Sequence, residues 1–203
     1  MKAGAKIFSI ALMLFLIALA GCSITGYSSF EDTLQEINQT DSKYGTSLHD
    51  YDNGVAYLRY NPRYPNPLNA EDIDAVVSEF AGLGNGTKEG SPGRLLVEAR
   101  ADLLQSEKSY KLATKTKRGL TAERFSCSDM IFVEAATINF ESSVDYGRSA
   151  VDKLSIIAEN YSEEAEKIGI SKFWVKYLNS TYDILEKDAA INQERIVQFC
   201  AEK

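Results

Sequence analysis

Ten positions between Met130 and Tyr161 constrain this chain more than any other feature. Met130, Val133, Thr137, Phe140, Val144, Gly147, Val151, Leu154, Ala158 and Tyr161 recur at alternating spacings of three and four. That rhythm keeps one stripe of a 3.6-residue helix turned toward a neighbour along its whole length. Ten positions without a skip form a packed seam, the kind found where helix meets helix in a bundle. Gly147 is the odd member. A mid-helix glycine costs ~1 kcal/mol relative to alanine, so its place on the seam predicts a close crossing.

Other stretches repeat the pattern. Asn69 is placed to cap a helix with Glu71, Asp72 and Asp74 near its start, where negative charge suits the dipole. Ile73, Val76, Val77 and Phe80 make its stripe, and Gly82, Gly84 and Gly86 are expected to end it. Ser91 and Pro92 then read as cap and first helical position. Leu96, Ala99, Leu103, Tyr110 and Ala113 carry that helix to about Lys117, with Gly119 as its stop. A break around 162–169 precedes a last helix from about Ser171 to Cys200, lined by Trp174, Leu178, Thr181, Leu185, Ile196 and Phe199. Asp188 and Asn192 interrupt that face, and no proline follows Pro92. The fold expected is all-α: an antiparallel bundle of three to four helices over residues 69–203.

The N-terminal third reads differently. Residues 22–47 look like a tether with one short helix from Phe30 to Asn38, in which Phe30, Leu34 and Ile37 share a face. Residues 48–68 are rich in tyrosine and proline and demand extended chain. Asp52-Asn53-Gly54 is a turn signal between two short runs, as in a small hairpin. Tyr51, Tyr57, Tyr60 and Tyr64, together with Trp174, are the candidates for an aromatic ligand-binding cleft. The alternative is aromatic packing over one end of the bundle.

Residues 1–21 do not belong to the folded part. Lys2 and Lys6 are their only charges, and an apolar run of 14 residues follows from Ile7 to Ala20. A helix needs ~20 apolar residues to span a bilayer core, so a basic start and a short apolar middle describe an export signal. Leu19-Ala20-Gly21-Cys22 follows immediately. This segment resembles the lipobox signal of prokaryotic lipoprotein precursors. The resemblance covers residues 1–22 alone and implies cleavage between Gly21 and Cys22, with lipid on Cys22. It implies at least two acyl chains there, and two chains are what stable anchoring requires. Ser23 rather than Asp follows the cysteine, which in two-membrane bacteria leaves outer-membrane sorting open.

Charge supports lipid as the anchor. Removal of the signal takes two lysines and no acids, which leaves 20 basic against 29 acidic residues, a net −9. Such a chain is a poor partner for nucleic acid and for anionic lipid. The partners expected are a membrane, through lipid on Cys22, and an envelope protein.

With Cys22 assigned to lipid, Cys127 and Cys200 form an even pair in an exported chain, so a disulfide or two buried thiols are the readings. Geometry favours the disulfide. Helices over 128–161 and 171–200 would span ~50 and ~45 Å. Folded back antiparallel, they bring Cys127 at the start of one beside Cys200 at the end of the other.

Chemical signatures are sparse. His49 is the single histidine, and neither a Gly-x-Ser-x-Gly elbow nor a Cys-x-x-Cys occurs. A zinc site wants several His or Cys ligands, and a bundle carboxylate site usually recruits Glu-x-x-His, so no metal, cofactor or catalytic residue is expected. Asp145–Arg148 and Arg148–Asp152 stand at helical pairing distance. Asn38, Asn85, Asn160 and Asn179 head Asn-x-Ser/Thr sequons, either glycosylation acceptors or ordinary polar surface. Three functions remain: a non-enzymatic envelope lipoprotein, a ligand-binding lipoprotein, and, least supported, an enzyme built on His49.

Overall fold

The computed structural model describes residues 26–44, 70–118 and 126–201, which hold six α-helices and no strand. They are α1 (Phe30–Tyr44), α2 (Ala70–Asn85), α3 (Pro92–Arg118), α4 (Met130–Asn160), α5 (Ser162–Lys167) and α6 (Lys172–Ala201). A 3-10 turn over Cys127–Asp129 leads into α4. The all-α antiparallel bundle is what the periodicities require.

Helix ends follow local chemistry. Ser29 and Asp32 close a reciprocal box at the start of α1: Asp32 N–H donates to Ser29 Oγ at 3.1 Å, and Ser29 N–H donates to Asp32 Oδ2 at 3.3 Å. Ser126 and Asp129 make the same arrangement ahead of α4. Ser91 accepts from Arg94 N–H in front of α3, with Pro92 in the first position as its fixed φ favours. Between α5 and α6 the chain turns at Gly169, whose φ of +68° suits only glycine well. Ile170 N–H reaches back to the Ala165 carbonyl and Gly169 N–H to that of Glu166, a Schellman closure.

α3 is the central helix. α4 lies antiparallel along it, and α6 lies antiparallel along α4. The register is set by Ser106 opposite Ser143, Gly147 opposite Tyr182 and Cys127 opposite Cys200. α2 covers another side of α3, and α1 crosses both. The seam of α4 faces inward as expected: Val133, Val144, Gly147, Val151 and Leu154 are buried. The predicted α2 stripe is equally in place, with Ile73, Val76 and Phe80 inaccessible.

Three features depart from the sequence reading. α1 runs to Tyr44 and buries Phe30, Thr33, Ile37, Thr40 and Asp41, so it belongs to the bundle rather than to a tether. α2 continues through Gly82 and Gly84 to Asn85, because packing against α3 outweighs the glycine cost. Arg148 turns away from Asp145 and Asp152, and reaches Asp183 at 3.1 Å and Glu186 at 2.7 Å on α6. The Tyr/Pro-rich segment 48–68 and the predicted Asn69 cap lie outside the described residues.

The buried apolar residues form one core. Its main cluster joins α1, α2 and α5 to Leu96–Leu104 of α3, Ala150–Ile157 of α4 and Val175–Tyr182 of α6. Among the described residues, Ala113, Val133, Ala136 and Val144 are buried beyond it, toward the disulfide. Tyr110 and Phe140 meet there edge to face at 5.5 Å.

Candidate functional site

The seam sets up a polar lock where α3, α4 and α6 cross. Ser106 Oγ donates to the Ser143 carbonyl at 2.7 Å, and Ser143 Oγ donates to the Ser106 carbonyl at 2.8 Å. Both seryl protons are thereby used. The 3.2 Å contact between Tyr182 Oη and Ser106 Oγ then has the tyrosine as donor. Tyr182 fits because Gly147 has no side chain: a Cβ there would stand 1.9 Å from the ring. This is the close crossing that the glycine predicted. The seryl hydroxyls are committed to backbone carbonyls and the tyrosyl hydroxyl to Ser106 Oγ, so the cluster ties three helices together.

A second buried polar contact fixes α1. Arg100 of α3 is 0% exposed and Asp41 2% exposed. Arg100 Nη2 donates to Asp41 Oδ1 at 2.6 Å, and Nε donates to Oδ2 at 3.4 Å. The guanidinium also lies 5.8 Å from the Phe80 ring centroid, so α1, α2 and α3 meet on it. Sequence reasoning passed over both residues. The available signal was Arg100 falling beside Leu96, Ala99 and Leu103 on the apolar side of α3.

Exposed ion pairs complete the docking of α1. Lys43 and Tyr44 both donate to Glu79 of α2, and Lys167 of α5 donates to Glu31. The hydrogen bond from Lys43, then that from Tyr44, holds the Glu79 carboxyl below its ordinary 4.5. The Lys167 hydrogen bond does the same for Glu31. Lys43 and Lys167 are raised above 10.5 by the same contacts.

The cysteines converge as the helix lengths require. Cys127 and Cys200 are joined as a disulfide, with Cα atoms 5.6 Å apart, inside the range that a disulfide accepts. Of the aromatic candidates, Trp174 lies among the described residues. Trp174 is half-buried against the core, with its backbone N–H donating to Ser171 Oγ at 3.1 Å. Tyr51, Tyr57, Tyr60 and Tyr64 lie outside the described residues, as do His49, Gly21 and Cys22. All four sequon asparagines are exposed: Asn85 and Asn160 at helix ends, Asn38 and Asn179 within α1 and α6. Among the described residues no group of three or more His, Cys, Asp or Glu is arranged to hold a metal ion.

The outer face of α4 was missed. Ile131, Ile138 and Ile156 are 67%, 61% and 41% exposed. At 100° per residue they fall within roughly 20° of one meridian. Glu134, Glu141, Asp145, Asp152 and Glu159 are exposed and follow a parallel meridian roughly 50° away. None of these five carboxylates enters an ion pair among the described residues, since Arg148 is spent on α6.

Comparison of the chain with protein-family models, with curated proteins and with solved structures returned no match.

Proposed function

We propose that this protein is a lipid-anchored extracytoplasmic helical protein with a non-enzymatic interaction role in the cell envelope. One observation carries the reading: Leu19-Ala20-Gly21-Cys22 at the end of a short apolar run that begins with two lysines. Three others support it. Cys127 and Cys200 are bonded, which suits an oxidising compartment. No helix among the described residues is long and apolar enough to cross a membrane, and the net −9 of residues 22–203 disfavours anionic bilayers. Lipid on Cys22 is therefore the attachment this reading requires.

The anchor also orients the bundle. Ser28 N–H bonds to the Gly86 carbonyl at the α2–α3 turn. Five residues lie between Cys22 and Ser28, a reach of at most ~22 Å. Lipid on Cys22 would thus hold that end of the bundle near the bilayer. The disulfide end, one α4 length or ~46 Å away, would point outward.

The test is metabolic labelling with a palmitate analogue, followed by membrane fractionation of the wild type and of Cys22→Ser. The wild type should carry label and sediment with membranes. The variant should lose the label and keep its uncleaved signal. Recovery of a cleaved, label-free wild-type protein would show an ordinary secretory signal and remove the anchor.

A further inference from the structure

We propose that the outer face of α4 is a docking surface for a cationic amphipathic helix of a partner protein, one with an aliphatic stripe bordered by lysine or arginine. The seam of α4 is already filled by α3 and α6. Ile131, Ile138 and Ile156 therefore form a second apolar line on the same helix, facing away from the core. Single exposed isoleucines are ordinary. Three on one meridian, at spacings of 7 and 18, mark a line ~37 Å long, in which Ser142, Asp145 and Ser149 separate the Ile131–Ile138 pair from Ile156. A track of that shape matches a helix laid alongside rather than a compact ligand.

The acidic border selects the occupant. Glu134 lies between Ile131 and Ile138 in sequence, and Glu141 and Asp145 continue the row. Antiparallel pairing of this face with itself in a second copy would bring two such rows into like-charge opposition, which costs affinity. An anionic bilayer is repelled for the same reason. A lysine- or arginine-bordered helix gains on both counts: its aliphatic stripe covers the isoleucines, and its cations meet carboxylates that have no ion-pair partner among the described residues. This deepens the interaction role proposed above without depending on lipidation, because the surface persists in a chain that carries no lipid.

The experiment uses the full chain with Cys22→Ser and a labelled synthetic peptide of roughly 18 residues, leucine and lysine at helical spacing, followed by fluorescence anisotropy. The peptide should bind, and a leucine–glutamate peptide of the same pattern should not. Ile131→Ser/Ile138→Ser should weaken binding at least about tenfold, as should Glu134→Lys/Glu141→Lys. The same charge reversal at the exposed Glu163 and Glu166 of α5 should change it by less than about twofold. Equal weakening by the α5 reversal would reduce the binding to bulk charge and overturn the proposal. Indifference to the serine substitutions would do the same. So would a self-associated chain that binds no peptide and becomes monomeric in Ile131→Ser/Ile138→Ser, since the occupant would then be a second copy. Loss of the palmitate label in Cys22→Ser with peptide binding intact separates this proposal from the anchor.

Discussion

Gly147→Ala and Gly82→Ala make the same chemical change in two helices and should move stability in opposite directions. At Gly147 the new Cβ would stand 1.9 Å from Tyr182 Cε1 and Cζ, and 2.5 Å from its hydroxyl oxygen. Carbon atoms in contact need about 3.5 Å, so the ring or a helix must move by roughly 1.5 Å. Overpacking of this kind costs ~1–3 kcal/mol. Displacement also strains the Tyr182–Ser106 hydrogen bond, a contribution of ~1 kcal/mol. Improved helix propensity returns ~1 kcal/mol. The net expectation is a loss of roughly 1–3 kcal/mol. At Gly82 an added Cβ meets nothing within 4 Å, so only the propensity gain of ~1 kcal/mol remains. Urea unfolding followed by circular dichroism measures both. Placing Gly147→Ala in a Tyr182→Leu background assigns the cause: without the ring, the alanine should be neutral or stabilising, a coupling of at least ~1 kcal/mol. A Gly147→Ala protein as stable as the wild type would refute the close-crossing argument.

The disulfide closes a loop spanning 73 positions, so Cys200→Ser should cost up to ~4 kcal/mol in the chain-entropy model. Hydrogen exchange should show the loss concentrated at the disulfide end, around Val133 and Ala136, with the main cluster around Leu154 and Leu178 protected; uniform loss would contradict a local effect of the bridge. Asp41→Ala leaves the buried Arg100 charge without that carboxylate and should destabilise by ~3–5 kcal/mol, with Asp41→Ala/Arg100→Met recovering part of it in the same melts. The ion pairs of α1 predict a pH window. Glu31 and Glu79 have depressed folded values, so their contribution is present above 4.5 and is lost as pH falls through the folded values. Lys43 and Lys167 are raised, so theirs is full below 10.5 and is lost as pH climbs through the folded values. Carboxyl NMR should find the Glu79 midpoint below 4.5, returning toward it in Lys43→Met; an unmoved midpoint would deny the contact.

Periodic information survived translation into three dimensions and relational information did not. The ten-position seam, the α2 stripe and the Ser91–Pro92 start are visible in the chain because each depends on residues within a few turns. Gly147 could be read as a close approach, but nothing local names Tyr182, 35 positions on, as the group that fills it. The Cys127–Cys200 pairing is a long-range contact that was legible, for a specific reason. Two helices of matched length, folded antiparallel, leave one arrangement of their ends. α1 was underread because its apolar pattern is short, and its docking depends on Asp41 meeting an arginine 59 positions away.

Arg148 shows where the boundary between the two kinds of information falls. Along its own helix it has Asp145 and Asp152 at helical spacing, and local rules pair it with them. Packing instead offers Asp183 and Glu186 together, one guanidinium against two carboxylates of a neighbouring helix. That choice leaves the acids of α4 without an ion pair among the described residues, beside three exposed isoleucines. A seam is set by backbone geometry, which the chain carries in its spacing. A surface is set by which side chains the packed helices consume, and that is known only after they have met.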